Sequence, residues 1–408
     1  MVRRFSFSIH KRPHVQSSET ESIQTSLEVY ISSLGSMDQL IKTLGHADPG
    51  ECVNNATERM RVAEALYAAW RRFQQPWDIA FEQNYEHSLT HSAVKAAIDA
   101  GVFHKWAEAG GGTKSSKELA QLTETDPVLI KRLVRHLAAQ HLLTEVGEDA
   151  YQPTPWSTTL ASDPAFASWY GSGFYYDLCV PAYQNLPAFL AATAHRENPT
   201  DAQAGNFQHL RGAGTSYFDY MSARPLAAKE FNDAMEVHSK YMLRPWVYIY
   251  PTHTVVNEAR ERPGRPMVVD VGGGKGHDLE KFRLRHHRDS DMPAGALVLQ
   301  ERPDVVEKLL AERGPRLLLA PAGPGARVYL LHNILHDWAD EDAVRILANI
   351  ADAMEKGYLR LLIHESIVST VRPHRRVTTT DLTMMALFSA KERTEEEFGE
   401  LVVRAGLR

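Results

Sequence analysis

At 408 residues, with 43% apolar and 24% charged side chains, the chain is long enough for two or three domains and has the balance of a globular protein with a sizeable core. No apolar run approaches the roughly 20 residues of a membrane-spanning helix, and 45 basic against 51 acidic residues, net −6, argue against a surface built throughout to grip nucleic acid. Cys52 and Cys179 stand far apart without a CxxC, which argues against a disulfide scaffold or structural zinc and suits a reducing, cytoplasmic compartment.

Residues 1–22 read as a disordered, solvated tail: Arg3, Arg4, Lys11 and Arg12 precede the first acid, Glu19, and no apolar core of a secretory signal is present. Residues 23–160 read as a helical arm followed by a winged-helix unit, the pair serving dimerisation. In the arm Val62, Leu66, Ala69 and Trp70 recur at helical spacing, as do Ala93, Val94, Ala97 and Ile98 before Gly101. Ser115, Ser116 and Glu118 offer helix-start chemistry, and Asp126-Pro127 places a cap and a first-turn proline ahead of the stripe Leu129, Leu133, Leu137. Leu142–Val146, a turn at Gly147-Glu148-Asp149, and Ala150–Pro153 then read as a hairpin. DNA binding through Lys131, Arg132, Arg135 and His136 is the alternative use of such a unit; packing with a solvated charged face is the reading preferred here.

Residues 161–265 form an aromatic-rich helical connector. Trp169, Tyr170, Phe174, Tyr175, Tyr176, Tyr183, Tyr217, Phe218 and Tyr220 serve either a core or a pocket for a flat ligand, and Pro225 starts a helix carrying Phe231, Ala234, Met235 and His238. From 266 to 408 short apolar strands alternate with helices: Met267–Val271, Ala296–Gln300, Leu317–Leu319, Val328–Leu331 and Leu359–His364, with helices from about His277 and over about Asp340–Lys356. That pattern predicts an α/β fold, a doubly wound, mostly parallel Rossmann-like sheet.

The chemistry-bearing residues fall at the carboxyl ends of those strands, where such sheets keep their ligands. Asp270-Val271-Gly272-Gly273-Gly274-Lys275-Gly276 is a glycine turn between strand and helix. It misses the dinucleotide pattern, since His277 stands at the third glycine, and lacks the G-K-[ST] ending of a phosphate loop. Glu301 follows the second strand, where a carboxylate holds ribose hydroxyls. His336, beside Asp337, is a candidate general base, with Glu365 closing the fifth strand and Glu392 preceding a final helix capped by Thr394. Such an arrangement needs no metal.

The motifs Val269–Gly276, Leu331-His332-Asn333-Ile334-Leu335-His336-Asp337-Trp338 and Lys391-Glu392-Arg393-Thr394 resemble those of the plant and fungal small-molecule O-methyltransferases, the caffeate-methyltransferase-like family that uses S-adenosylmethionine. The arm and winged helix resemble that family's dimerisation domain. The resemblance implies His336 as the base that takes a phenolic proton, Glu365 and Glu392 as its flanking carboxylates, and Asp270, Gly272, Gly273, Gly274 and Glu301 at the cofactor. Glu301 stands where the family usually has an aspartate. It also implies a homodimer and a small aromatic or polyketide-like acceptor, with neither nucleic acid nor membrane as partner.

Two departures stand out. No acid occurs from Arg313 to Arg327, where the family carries an acidic-aromatic adenine contact, and the sequence stops at Arg408, where the family continues into an antiparallel hairpin, so five strands are expected. Beside methyl transfer two alternatives remain open: a pericyclase or dehydratase on the same fold, and a non-catalytic member acting through dimerisation or DNA binding.

Overall fold

The computed structural model describes residues 37–48, 50, 55–241, 245–260, 262–286, 292, 295–303, 305–307, 318–319, 325–355 and 357–407. The proposed tail, the arm's first residues, Cys52 and most of the acid-poor stretch before Arg327 lie outside them. Two compact units divide at Glu86/His87.

In the first unit a helix covers residues 37–45, and α1 spans Ala56–Phe73. Asn55 starts α1 by accepting the Glu58 N–H at 3.0 Å. The expected stripe forms, yet α1 has no buried residue, and Val62, Leu66 and Trp70 stay exposed.

The second unit begins with α2, His87–Asp99, which buries Ala93, Val94 and Ala97 before Gly101 turns the chain into α3, Val102–Glu108. Next come α4, Ser116–Thr123, with a capping box between Ser115 and Glu118, and α5, Pro127–Ala139, capped by Asp126. Strands β1, Leu143–Gly147, and β2, Ala150–Pro153, pair antiparallel as the wing. Val102, Phe103, Trp106, Leu119, Val134, Leu137 and Tyr151 share one core. The helical phase of α5 departs from the expected stripe. Ile130, Val134, Leu137 and Ala138 are buried, whereas Leu129 is 50% exposed; one residue is a rotation of about 100°, enough to carry Leu129 off the packed face.

The aromatic connector divides its work. Phe174, Phe207 and Tyr217 are core, packed with Ala227, Ala228 and Ala234 of α6, Pro225–Tyr241. Phe218 and Phe231 pack against the same cluster and also line a cavity.

Five parallel strands follow: β3 Val268–Val271, β4 Leu297–Gln300, β5 Leu318–Leu319, β6 Val328–His332 and β7 Arg360–His364, in the order β5-β4-β3-β6-β7. Between them lie α7, His277–Arg285, and α8, Asp340–Ala353; α9, Arg375–Phe388, and α10, Glu395–Arg404, complete the chain. Strands β3, β4, β6 and β7 present alternate residues to two cores. Val268, Leu299 and Leu330 pack with Leu279 and Phe282 of α7, while Val269, Val298 and Leu331 pack with Leu347 of α8 and Phe398 of α10. Burial on both faces explains why these strands read as continuous apolar runs. Among the described residues no helix is long and apolar enough to cross a membrane.

Candidate active site

The carboxyl ends of β3, β4 and β6 open on a cavity of about 590 Å³. Its wall combines Gly272–Lys275, Gln300–Arg302, His332–Ile334, Asp337 and Trp338 with Phe218, Phe231, Asn232, Met235 and His238 from the connector.

The glycine turn is shaped by close contacts. A Cβ on Gly273 would stand 2.2 Å from Asp270 Oδ2 and 2.7 Å from Leu299 Cδ1; one on Gly272, whose φ is +72°, would stand 2.6 Å from Ile334 Cδ1. Asp270 beneath the turn is 1% exposed and neither carboxyl oxygen has a hydrogen-bond partner. Burial, reinforced by Asp278 and Glu301, pushes its carboxyl well above the usual range. Glu301 Oε2 accepts the Gly274 N–H at 2.9 Å and Oε1 accepts the Arg302 N–H at 2.8 Å. These contacts hold the Glu301 carboxylate in the cavity wall. The turn, its unpartnered acceptors and Glu301 fit an elongated ligand rich in hydrogen-bond donors.

His336 stands on a single 3-10 turn, Leu335–Asp337, just past β6. Its Nδ1–H donates to Glu392 Oε1 at 2.9 Å, and Glu365 Oε2 lies 3.9 Å from the same nitrogen. Glu365 holds the turn itself: its Oε1 accepts the N–H groups of Ile334 at 2.8 Å and Leu335 at 2.7 Å. A carboxylate only accepts, so a proton sits on Nδ1, and in the neutral form of the ring Nε2 carries the lone pair. Burial pulls the imidazolium down, but Asp337, the Glu392 hydrogen bond and Glu365 outweigh it and push His336 up to about 9. Asp337 rises to about 7, burial leading, with Glu365 and Glu392 adding to it against His336. Glu365 is raised for the same first reason.

His336 is 9% exposed and does not itself line the cavity; Asp337 does, with its Oδ1 3.6 Å from His336 Nε2. Asp337 is therefore the polar group a bound molecule meets beside the imidazole.

Sequence reasoning gave no role to Arg393. Its guanidinium, fully buried, donates to the Leu335 and Trp338 carbonyls at 2.7 Å each and to Asp340 Oδ1, bracketing the His336 turn from both ends. Its place beside Glu392 in a quoted motif was the available signal. Missed too were Asp233 and Glu236, which bind Lys275 Nζ at 2.6 and 3.0 Å and tie the glycine turn to α6. His238 on the same helix faces Asn333 at 3.3 Å, and burial followed by repulsion from His332 and His336 lowers it to about 4.

The O-methyltransferase domain family matches residues 318–408, and the O-methyltransferase dimerisation domain family matches residues 84–163. The O-methyltransferase mfmE of Annulohypoxylon moriforme is 32% identical over 374 residues, covering 90% of each chain. The O-methyltransferase asqD of Emericella nidulans is 32% identical over 372 residues, 88% of this chain and 93% of the relative. Among solved structures, the LepI complex with SAM superposes with a TM-score of 0.76 at 22% identity, and OxaC with SAH and oxaline at 0.70 and 20%, each over 92% of this chain and 94% of the other. At those identities the likeness concerns the fold.

Proposed function

Because the chain belongs to the O-methyltransferase family, we propose that it moves a methyl group from S-adenosylmethionine to a phenolic or enolic hydroxyl of a flat secondary metabolite, with His336 as general base. The enzyme is of the S-adenosylmethionine-dependent O-methyltransferase class, and the dimerisation domain supports a homodimer. The observation that carries the finer reading is the His336–Glu392 hydrogen bond at 2.9 Å, with Glu365 bracing the turn at the edge of an aromatic-walled cavity.

The cofactor supplies an electrophilic methyl on a sulfonium. Asp270, Gly272, Gly273 and Gly274 would hold its methionyl half and Glu301 its ribose. What remains for the chain's own residues is to orient the acceptor and remove its proton. Phe218, Phe231, Met235 and Trp338 offer flat apolar contact to an aromatic acceptor. Glu392 keeps the Nδ1–H tautomer and stabilises the imidazolium that forms when Nε2 takes the hydroxyl proton, help worth about 10²–10⁴-fold. Asp337 receives the acceptor on its approach to Nε2. Small-molecule chemistry in the cytoplasm, rather than nucleic-acid binding, accords with the net charge of −6.

A solved structure described as a pericyclic reaction enzyme superposes on this chain with a TM-score of 0.76 at 23% identity, so the same fold serves other chemistry. The shielding of His336 from the cavity favours this second reading, in which the bound cofactor is not consumed. Incubating the purified protein with methyl-labelled S-adenosylmethionine and a panel of phenolic polyketides separates the two. Methyl transfer gives labelled acceptor and equimolar S-adenosylhomocysteine, cut by about 10²-fold or more in His336→Ala. A product that forms without label or S-adenosylhomocysteine rejects the proposal.

A further inference from the structure

We propose that His238 is a specificity-determining residue whose Nε2–H binds a carbonyl oxygen of the acceptor, so that the hydroxyls methylated belong to phenols or enols conjugated with a carbonyl. The inference rests on the function proposed above and narrows its substrate class.

His238 lies near the end of α6 and lines the main cavity. Its Nδ1 is 3.3 Å from Asn333 Nδ2. An amide NH2 only donates, so Nδ1 accepts this bond and carries no proton. Burial, then the charges of His332 and His336, lower His238 to about 4, and the ring is neutral at pH 7. A neutral ring with a bare Nδ1 keeps its one proton on Nε2. Among the described residues Asn333 is the one hydrogen-bond partner of His238, and Nε2 is not sealed off from the cavity that the ring lines. An N–H in that position calls for an acceptor brought by the ligand.

The support for this donor is unusual. Asn333 follows β6 with a φ of +53°, a left-handed conformation that glycine adopts without steric cost. Its own N–H is tied to the His364 carbonyl at 3.1 Å. Glycine there would lose the amide that fixes the tautomer of His238.

Position selects the ligand group. His336 stands three residues past Asn333, and Glu365 fastens the chain between them through the Ile334 and Leu335 N–H groups. Donor and base therefore share one braced corner of the cavity. Met235 and Phe231, three and seven residues before His238, share its face of α6 and add apolar contact beside the N–H. That combination suits a flat ring with an oxygen on its edge. A carbonyl fits the donor because it only accepts, and it brings no negative charge toward Asp337, Glu365 and Glu392. When the hydroxyl proton passes to His336, the charge left behind spreads through the conjugated system onto the carbonyl oxygen, where the Nε2–H meets it.

Calorimetry on the protein saturated with S-adenosylhomocysteine tests this. The probes are 7-hydroxycoumarin and 7-hydroxychromone, which place a conjugated carbonyl at two different points of a bicycle, and 2-naphthol, which has none. In His238→Phe, which keeps a ring but no N–H, at least one carbonyl compound should weaken by about 10-fold or more relative to 2-naphthol. His238→Gln, which offers an amide N–H, should retain most of the wild-type ratio. If His238→Phe fails to fold, imidazole ¹⁵N NMR of wild-type protein carries the test. His238 should then be protonated at Nε2 alone down to about pH 5, and that resonance should move with a carbonyl compound and not with 2-naphthol. A ratio unchanged in His238→Phe, a neutral His238 protonated at Nδ1, or no binding of any of the three probes overturns the proposal. A carbonyl preference that depends on His238, with no label passed from S-adenosylmethionine to any phenol, would instead reject the methyl-transfer reading and keep the carbonyl contact.

Discussion

Glu392→Gln is the most informative change at the site, because it removes one charge and keeps the shape. His336 stands at about 9, against an ordinary 6.5, and Glu392 contributes both the hydrogen bond at Nδ1 and part of the electrostatic pull. A hydrogen bond to a charged group is worth about 1.5–3 kcal/mol, or roughly 1–2 pH units at 1.36 kcal/mol per unit. Asp337 and Glu365 remain, so the variant's midpoint is expected at about 7–8. The stability consequence has a definite sign. A group raised on folding contributes fully below its unfolded value, about 6.5, and loses that contribution as pH climbs through about 9; the whole effect is on the order of 3 kcal/mol. The gap in unfolding free energy between wild type and Glu392→Gln should therefore be widest near pH 6 and close toward pH 9. Imidazole NMR from pH 5 to 10, with the His336 resonance identified by its loss in His336→Gln, reads the midpoint, and urea unfolding at pH 6 and 9 reads the gap. A wild-type midpoint near 6.5, a midpoint that Glu392→Gln leaves in place, or a gap that widens with pH would refute this account of the pair.

Gly273→Ala places a Cβ 2.2 Å from Asp270 Oδ2 and 2.7 Å from Leu299 Cδ1; isothermal calorimetry should show S-adenosylhomocysteine weakened by about 10-fold or more, and an unchanged dissociation constant would remove the turn from the cofactor site. Leu66→Lys with Trp70→Lys charges the open face of α1, where both residues are nearly half exposed; sedimentation equilibrium should show a dimer at least about tenfold weaker, and an unaltered dimer would place its interface elsewhere.

Much of the fold was legible because it rests on local rules. The capping box at Ser115, the Asp126-Pro127 helix start and the continuous apolar runs of the sheet each dictate structure within a few residues. Ends were softer: β3, β4 and β7 start at Val268, Leu297 and Arg360, one residue after the apolar runs do, and α8 stops at Ala353, short of Lys356. The phase of α5 was not legible, since Leu129 and Ile130 are equally apolar and only the neighbouring helices decide which is buried. At the site, His336, Glu365 and Glu392 could be named from strand ends and motif spacing. Arg393 and Asp278 could not be given partners. Arg393 reaches back 58 residues to the Leu335 carbonyl and Asp278 forward 54 to His332, and nothing local in the chain announces such contacts.

The electrostatics of the histidines suggest what kind of hydroxyl the site can deprotonate. His238 and His364 are both lowered to about 4, burial leading in each case, and stay neutral through the working range. His336 moves the opposite way because carboxylates surround it. Passing a proton from a phenol, near 10, to a base near 9 runs uphill by only about 1.4 kcal/mol, where an ordinary imidazole would face about 5. An aliphatic hydroxyl, as weakly acidic as water at about 15.7, would still lie roughly 9 kcal/mol uphill. The same shift has an opposing effect, since at pH 7 only about 1% of His336 in the free protein is the neutral base. Strength and availability balance where the pH approaches the midpoint, so methyl transfer governed by this base rises across pH 7 to 9, and an acceptor that brings in an already ionised oxygen loses that dependence.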